Sequence, residues 1–404
     1  MDAARTVREH AALLGPDAAN LKILPLLETV GRVLAAPVFG DRDQPPFPRS
    51  TRDGFACRAS DLAAGDALAV IGRLRAGEEW NGPAIATGQA IEIMTGAPVP
   101  PGADCVLMVE HATVEGSRIR PGRQLSPGEN IVNAGAEARA GATLIAAGTR
   151  IGPQHIAAAA ACGYPALPVY ARPRIAILAT GDELVPLDSR PLTYQIRNSN
   201  SYSIAAQVLE HGGQPVLFPI VPDDLGAIQA AIQKALDCDL LLLSGGVSMG
   251  KYDFVEQALL ELGAEFIFTG VRIQPGRPVV FGRLPASPSH HCYFFGLPGN
   301  PVSTMVTFAL FAAPVLSALA GQSHSELGPH FAEAQLGAVI KGKSGLTLFL
   351  PAHVESDGTR AAVRPIAWQG SGDQTAAAQT NCFAVIPEDS GDLKEGDRVC
   401  ILFL

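Results

Sequence analysis

Residues 239–253 read Asp-Leu-Leu-Leu-Leu-Ser-Gly-Gly-Val-Ser-Met-Gly-Lys-Tyr-Asp, and the apolar spacing of 254–262 that follows is helical. The four leucines are typical of a strand that is buried on both faces, and a glycine-rich loop connects them to the helix. Strand-like runs at 174–180 and 215–220 are each followed by a helical pattern as well. Alternating strands and helices predict a central, doubly wound α/β domain with a mainly parallel sheet.

The rest of the chain divides by composition into three further regions. Residues 46–139 are rich in Gly and Pro and contain short β-like runs, which predicts an inserted β domain. The segments before and after it, 1–45 and 140–172, show helical spacing. From 327 onward the helical pattern disappears, and short strands alternate with turns, which predicts a small β barrel or sandwich.

Composition excludes several classes of protein. The chain has 404 residues, 47% hydrophobic and 17% charged, with a formal charge of −9, which is typical of a soluble protein of two to four domains. Nucleic acid and anionic lipid select basic surfaces, so we expect neither as a partner. Seven scattered cysteines without a C-x-x-C pair predict buried, reduced thiols in a cytoplasmic protein rather than a zinc site. We expect no signal peptide, and we expect the apolar stretch 304–320 to be a buried helix.

The loop after the four leucines combines the features of an anion site. Its glycines and hydroxyl residues are Ser244, Gly245, Gly246, Ser248 and Gly250. Glycines let backbone N–H groups approach an anion closely, and the helix that begins near Asp253 directs its positive dipole end at the same place. We therefore favour a phosphate-type site over an ordinary strand-to-helix turn.

A second loop, Leu297-Pro-Gly-Asn-Pro-Val-Ser303, follows another predicted strand. Asn300 is a good N-cap and Pro301 suits the first helical position, so helix capping alone accounts for both residues. Its position beside the first loop favours ligand binding instead. The substrate contacts that we expect from it are Pro298, Gly299, Asn300, Pro301 and Ser303.

Acidic residues collect at the carboxyl ends of the predicted strands, where open parallel sheets bind ligands. They are Asp182, Glu183, Asp223, Asp224 and Asp253. Each has a structural interpretation of its own: Asp223 is a natural N-cap after Pro222, and Asp253 resembles the start of a capping box. Together, beside a phosphate-type pocket, they offer the oxygen ligands that Mg²⁺ requires.

Five motifs together resemble the molybdopterin molybdenumtransferase family of the MoeA type, which includes the C-terminal domain of gephyrin. They occur in the family's order and spacing over essentially the whole chain. The motifs are Pro45-Pro-Phe47 through Asp53-Gly-Phe-Ala56, Met94-Thr-Gly-Ala-Pro98, Thr180-Gly-Asp-Glu-Leu184, Ser244-Gly-Gly-Val-Ser248 through Asp253, and Leu297-Pro-Gly-Asn-Pro-Val-Ser303.

The resemblance implies four domains in an elongated homodimer. They are an elongated dimerisation domain (1–45 and 140–172), an inserted β lid domain (46–139), a central pterin-binding α/β domain similar to molybdopterin adenylyltransferase (173–326) and a C-terminal β barrel (327–404). The implied reaction inserts molybdate into adenylated molybdopterin, hydrolyses the adenylate and releases AMP with the help of Mg²⁺. Molybdopterin adenylyltransferase and apo-molybdoenzymes are further expected partners.

The resemblance also assigns site residues. The catalytic set comprises Asp53 and Thr95 of the lid domain and Glu183, Asp223 and Asp253 of the central pocket. Asp223 and Asp253 are the expected Mg²⁺ ligands. Asp182, Arg272 and Arg277 join the two loops above as expected substrate contacts.

Several cations of the family pattern are replaced. Gln274 and Arg277 stand where lysines are usual, and the neutral residues in place of arginines are Val132, Asn133, Leu346 and Pro351. Arg197, Arg272, Arg277 and Lys251 are the cations that we expect to compensate for this loss. This loss supports an alternative function, a non-catalytic homologue that binds the pterin nucleotide or serves assembly. A third alternative, adenylyl transfer from ATP, leaves the additional N- and C-terminal domains unexplained, and the sequence does not distinguish molybdate from tungstate.

Overall fold

The computed structural model describes residues 2–17, 20–246, 254–287, 290–323, 327–343, 345–356, 358 and 360–404. The helices of the described chain are α1 (Asp2–Ala11), α2 (Ala59–Ala64), α3 (Pro153–Ala161), α4 (Asn200–Glu210), α5 (Leu225–Ala235), α6 (Phe254–Glu261), α7 (Pro301–Thr307), α8 (Ala313–Leu319) and α9 (Gln374–Gln379). Short 3₁₀ turns cover Leu26–Thr29 and Val109–His111, and a π-helical turn, Phe308–Ala312, joins α7 to α8.

The strands up to residue 180 are β1 (Leu21–Pro25), β2 (Val38–Phe39), β3 (Arg49–Ser50), β4 (Gly54–Cys57), β5 (Leu68–Leu74), β6 (Gln89–Ile93), β7 (Cys105–Met108), β8 (Ala112–Glu115), β9 (Arg118–Pro121), β10 (Ile131–Val132), β11 (Thr143–Ile145), β12 (Ala166–Tyr170) and β13 (Arg174–Ala179). The strands beyond it are β14 (Leu184–Val185), β15 (Ile196–Arg197), β16 (Gln214–Leu217), β17 (Leu240–Ser244), β18 (Glu265–Thr269), β19 (Ile273–Gln274), β20 (Val280–Ser287), β21 (His290–Leu297), β22 (Phe331–Leu336), β23 (Thr347–Ser356), β24 (Ala361–Pro365), β25 (Cys382–Ile386) and β26 (Arg398–Phe403).

The chain forms two compact units. The inserted unit comprises Pro37–Ala146 and Gln154–Pro165, and the main unit comprises Met1–Ala36, Ala147–Pro153 and Ala166–Leu404. The four domain boundaries expected from the sequence are finer than this division and stay predictions.

The main unit contains a six-stranded sheet in the order β16-β13-β17-β21-β20-β18. The first four strands are parallel, as predicted, whereas β20, near one edge, pairs antiparallel with both β21 and β18. The edge departs from the βαβ pattern because no helix separates β20 from β21, and strands joined by a short connection pair antiparallel. The structure is therefore an α/β sheet with an added antiparallel edge.

Helices cover both faces of this sheet because its central strands are apolar on both sides. Ile175 and Leu242 pack in one buried cluster with α4, α7 and α8, while Ala176 and Leu243 pack in the opposite cluster with α5 and α6. Each fully buried Leu or Ile of this kind contributes about 1.5–3 kcal/mol to folding. The doubly wound arrangement predicted from the alternating pattern is confirmed.

The apolar helix Pro301–Leu319 is long and apolar enough to span a membrane, but 89% of its apolar window is buried inside the protein. It packs against the sheet as a core helix, which confirms the sequence interpretation. Pro314 has no N–H to donate to the carbonyl four residues earlier, and the π-helical turn lies just before it.

The C-terminal strands close into a barrel. Pairing runs β23-β24-β22-β26-β25, and β25 pairs again with β23, so five strands form a closed ring. This result selects a barrel over a sandwich. β19 extends the barrel from outside, because Ile273 pairs in parallel with Thr347.

The helical interpretation of residues 1–45 is correct only for α1. Leu21–Pro25 instead form β1, which pairs antiparallel with β12, and Val33 and Leu34 form isolated bridges to Arg150 and Val169. Gly31 has a φ of 75°, which is outside the right-handed helical region, so no helix continues through this residue. The apolar spacing therefore serves strand pairing rather than one face of a helix.

The inserted unit contains a six-stranded sheet in the order β7-β4-β6-β5-β9-β8, and the β-like runs predicted there are confirmed as β5, β6 and β7. Cys57 and Cys105 lie opposite each other on β4 and β7 with their Sγ atoms 3.8 Å apart. All seven cysteines are free, six are buried and Cys400 is half-buried, as the sequence predicted.

Candidate functional site

A cleft of about 670 Å³ opens in the main unit where the loops after β13, β17 and β21 meet. The structure brings together here the following residues that the sequence assigned to a site: Glu183, Asp223, Gly245, Gly246, Arg277, Pro298, Gly299, Asn300 and Ser303. Carboxyl ends of parallel strands share one edge of a sheet, which is why loops far apart in sequence converge. Ser248, Gly250 and Asp253, with Lys251, lie outside the described residues.

The glycines after β17 are required by the backbone path. Gly245 and Gly246 have φ of +93° and +63°. A Cβ at Gly245 would lie 2.8 Å from the carbonyl oxygen of Thr180, and one at Gly246 would lie 2.5 Å from Cγ2 of Val255. Only glycine therefore lets this loop pass so close to the end of β13.

Two buried hydroxyl groups near this loop differ in their hydrogen bonding, because one has a partner in the protein and the other has none in the part of the chain that the structure describes. Ser244 is 3% exposed, and its hydroxyl accepts from Nδ2 of Asn200 at 3.1 Å, so it is engaged by the protein itself. Asn200 also donates to the carbonyl of Gly299 at 2.6 Å and thereby ties the two loops together. Thr180 is also 3% exposed, but its Oγ1 has no hydrogen-bond partner among the described residues. An unpaired buried hydroxyl is unusual, because leaving it so costs free energy.

The second loop does not use Asn300 for side-chain capping. Asn300 occupies the N-cap position of α7 with Pro301 at the start of the helix, but its side chain makes no capping hydrogen bond. Nδ2 of Asn300 instead donates to Oγ of Ser371 at 2.7 Å, and both residues line the cleft. Helix capping therefore explains Pro301 but not the side chain of Asn300, which forms its hydrogen bond inside the cleft.

Asp223 and Asp224 have separate roles. Asp224 caps α5, since its Oδ1 accepts from the N–H of Ala227 at 2.8 Å, so the capping interpretation applied to Asp223 was wrong by one residue. Asp223 lines the cleft, and its N–H donates to Oδ1 of Asp182 at 3.2 Å. Partial desolvation, followed by repulsion from the Asp182 carboxylate, raises the pKa of Asp223.

The two acids that follow β13, Asp182 and Glu183, line two different clefts. Glu183 lines the cleft and folds over Gly181, where a Cβ would lie 2.5 Å from its Oε2. Asp182 lines a neighbouring cleft of about 550 Å³ instead. No cluster of three or more His, Cys, Asp or Glu side chains suited to a metal occurs among the residues that the structure describes.

Among the residues that the structure describes, the cleft contains one cation that the sequence predicted, Arg277, and one that it did not, Lys343. Arg277 lines it, whereas the Arg272 side chain is 78% exposed and pairs with Glu388 at 3.7 Å outside it. Lys343, from the loop that precedes β23 of the barrel, lines the cleft and donates from Nζ to Oε1 of Gln274 at 2.7 Å. Leu346, Trp368 and Ser371 line the same cleft. Sequence reasoning missed Lys343, Trp368 and Ser371, because no motif marks barrel residues that reach a cleft of the α/β sheet.

The two assigned residues of the inserted unit lie together. Oδ1 of Asp53 accepts from the backbone N–H of Thr95 at 2.6 Å and from its hydroxyl at 2.8 Å. These hydrogen bonds, the backbone one first, lower the pKa of Asp53 and keep it ionised.

Arg197, which the sequence predicted as a compensating cation, lies in the main unit and donates from Nε to the carbonyl of Leu187 at 3.0 Å.

Comparison with known families and proteins accounts for nearly the whole chain. Residues 1–163 match the MoeA N-terminal region (domain I and II), 176–318 a probable molybdopterin binding domain, and 333–404 the MoeA C-terminal region (domain IV).

Similar proteins span the same length. The molybdopterin molybdenumtransferase of Nostoc sp. is 35% identical over 403 residues, which covers 95% of this chain and 89% of that protein. The enzyme of the same name from Bacillus subtilis is 32% identical over 94% of this chain and 89% of its own length. The crystal structure of a molybdopterin biosynthesis moeA protein from Pyrococcus horikoshii superimposes with a TM-score of 0.79 at 29% identity, covering 100% of this chain and 98% of that one. The chain belongs to the molybdopterin molybdenumtransferase family.

Proposed function

We propose that this protein inserts molybdate into adenylated molybdopterin with hydrolysis of the adenylate and release of AMP, a step of molybdenum cofactor biosynthesis. The observation that carries the proposal is similarity along the whole chain to enzymes named molybdopterin molybdenumtransferase, at 35% identity for the Nostoc protein. The cleft adds physical support, because carboxylates and cations from separate loops meet at the carboxyl end of a parallel sheet.

The residues of the cleft suit positioning and charge stabilisation. Arg277 and Lys343 are placed to attract the negative charge of phosphate and molybdate oxygens. In the reaction, water adds to a phosphorus of the pyrophosphate, the bridging P–O bond breaks and AMP leaves. The two dithiolene sulfurs bind molybdenum in place of a molybdate oxygen, which leaves as water with the two thiol protons. Effective positioning of two bound reactants lowers such barriers without a protein nucleophile.

We propose Asp223 as a ligand of Mg²⁺, with Glu183 in the same cleft and Asp253 as the second ligand expected from the sequence. Carboxylate oxygens are the donors that Mg²⁺ prefers. The pKa of Asp223 is raised first by partial desolvation and then by repulsion from the Asp182 carboxylate, and a cation would offset that repulsion. When bound, Mg²⁺ supplies positive charge to phosphate oxygens.

The non-catalytic alternative depended on the loss of cations at positions such as Gln274 and Leu346. Both residues line the cleft, so the loss is real at those two positions. However, Lys343 places an ammonium group 2.7 Å from the Gln274 amide oxygen. The cleft therefore regains a positive charge, and no specific observation favours the alternative.

We also propose that the protein is a homodimer. The segment from β1 to Val30, just after the following 3₁₀ turn, exposes large apolar side chains: Ile23 is 77% exposed, Leu27 76% and Val30 50%. Several large, exposed apolar side chains within one short segment are typical of an interface. Sedimentation equilibrium should give twice the 42.1 kDa chain mass, and a monomer mass would contradict the proposal.

The test of the main function pairs two adjacent acids. Purified protein receives adenylated molybdopterin, Mg²⁺ and molybdate, while AMP release and reconstitution of a molybdenum-free apoenzyme are followed. Asp223→Asn should lower turnover by about 100-fold or more, because a charged group in the cleft is lost. Asp224→Asn is the matched control: asparagine also caps helices, so turnover should stay within about twofold of wild type.

Two outcomes would contradict these assignments. Absence of molybdate-dependent AMP release by the wild-type protein would reject the function. Equal losses in both variants would reject the specific role of Asp223, since Asp224 caps α5 and does not line the cleft.

A further inference from the structure

The loop that precedes β23 lies beside the segment around β19. β19 pairs in parallel with β23, and the N–H of Thr347 donates to the carbonyl of Arg272 at 3.1 Å. This pairing places Lys343, which stands four residues before β23, next to Gln274 of β19. The barrel therefore contributes a side chain to the cleft through strand addition rather than through a motif of the α/β sheet.

The positive charge of Lys343 is not neutralised by the protein. In the part of the chain that the structure describes, its contact is the neutral amide oxygen of Gln274, and no carboxylate forms an ion pair with it. An ammonium group has three donors, and this contact uses one of them. Arg272 differs, because Glu388 pairs with it.

We propose that Lys343 binds an oxyanion of the substrates and that Gln274 positions it, an inference that rests on the proposed function. The cleft that Lys343 lines also contains Arg277, so two cations share it with the carboxylates of Glu183 and Asp223. A compact ammonium on a flexible stem suits a tetrahedral oxyanion, whether molybdate or the phosphate of the adenylate. Gln274 holds the ammonium through its amide oxygen and does not compete for negative charge.

The inference is tested by binding of molybdate alone and of AMP alone, each measured by isothermal titration calorimetry and therefore independent of turnover. Lys343→Met keeps the length of the side chain and removes its charge. It should weaken binding of one of the two anions by about tenfold, the usual effect of losing a charge-assisted hydrogen bond. The anion affected identifies which oxyanion Lys343 contacts.

Two further variants separate charge from packing. Lys341→Met removes an exposed lysine two residues earlier that does not line the cleft, and both affinities should stay within about twofold of wild type. Combining Lys343→Gln with Gln274→Lys exchanges the two side chains and returns the charge to the same contact. This exchange should recover most of the lost affinity and restore its dependence on salt.

Several results would overturn the inference. They are unchanged affinities for both anions in Lys343→Met, a loss that the exchanged variant does not recover, and a wild-type protein that binds neither anion. By contrast, anion binding that depends on Lys343 in a protein without molybdate-dependent AMP release would support this inference while rejecting the proposed function.

Discussion

The two walls of the cleft reach it by different routes. The strand-end wall consists of Thr180, Glu183, Asp223, Gly245, Gly246 and Asn300, and the barrel wall consists of Lys343, Leu346, Trp368 and Ser371. The first wall follows directly from parallel strands and supplies glycines and carboxylates. The second depends on how the C-terminal barrel packs beside β19, and it supplies a cation and an aromatic ring. Arg277 already lines the cleft beside the acids, and the packing of the barrel beside β19 adds the second cation, Lys343.

Gly245→Ala breaks the strand-end wall and should have the largest effect. The added Cβ would meet the Thr180 carbonyl at 2.8 Å with φ at +93°, so the loop must move. We expect turnover to fall by about 100-fold or more and the free energy of unfolding by about 1–3 kcal/mol. AMP release and urea unfolding measure the two effects.

The matched control for that change is Gly15→Ala, where no atom lies within 4 Å of the added Cβ and φ is not positive. Its free energy of unfolding should stay within about 0.5 kcal/mol of wild type. If Gly245→Ala remained as active as Gly15→Ala, the close passage of the glycine loop would have no part in function.

Ser371→Ala weakens the contact between the walls and should have a smaller effect. It removes the acceptor of the 2.7 Å hydrogen bond from Asn300 but leaves the loop backbone in place. A single neutral hydrogen bond contributes about 0.5–1.5 kcal/mol, so we expect KM for adenylated molybdopterin to rise about three- to tenfold with little change in kcat. Steady-state kinetics measures this split.

A loss from Ser371→Ala equal to that from Gly245→Ala would mean that the barrel wall is as decisive as the strand-end wall. Ser356→Ala, a serine at the far end of β23 that does not line the cleft, is the control and should leave KM unchanged.

The smallest expected effect is a change in how thermal stability depends on pH when Asp223 is replaced. The pKa of Asp223 is raised by desolvation and by Asp182, so the folded protein binds this proton more tightly than the unfolded chain does. The resulting penalty is absent below the ordinary carboxyl pKa of about 3.9, grows as pH rises towards the folded pKa and is constant above it. Asp223→Asn should therefore have a higher Tm than wild type at pH 7, and the difference should vanish in acid.

The opposite sign is expected for Asp53→Asn in the inserted unit. Hydrogen bonds from Thr95 lower the pKa of Asp53, so its contribution to stability is present at neutral pH and disappears as pH falls through the folded pKa. This variant should have a lower Tm than wild type at pH 7. Thermal unfolding from pH 3 to 8 tests both signs, and shifts of the same sign would reject the electrostatic assignment for one of the two acids.

Sequence reasoning located the strand-end wall better than individual roles within it. Loops after parallel apolar strands emerge at one edge of a sheet, so the sequence alone predicts that Glu183, Gly245 and Asn300 meet. The helix-capping role was assigned to Asp223 although Asp224 caps α5, because two adjacent aspartates are equally good caps and the backbone path selects one. In the N-terminal region, Val33 and Leu34 were misassigned to a helix because apolar spacing alone does not distinguish a helix from strands that pair at long range.

The sequence by itself determined the doubly wound α/β sheet, the buried helix Pro301–Leu319, the β character of the inserted and C-terminal regions and the family. These features depend on local apolar periodicity, glycine and proline positions, and motifs read in order along the chain. Tertiary structure alone decided that Lys343 and Ser371 face the cleft, that Asn300 bonds to Ser371, and that Asp223 rather than Asp224 remains available. The physical reason is that packing between the barrel and the sheet brings together residues that are far apart in sequence. Such contacts produce no pattern in the local sequence of either segment, so the sequence alone does not predict them.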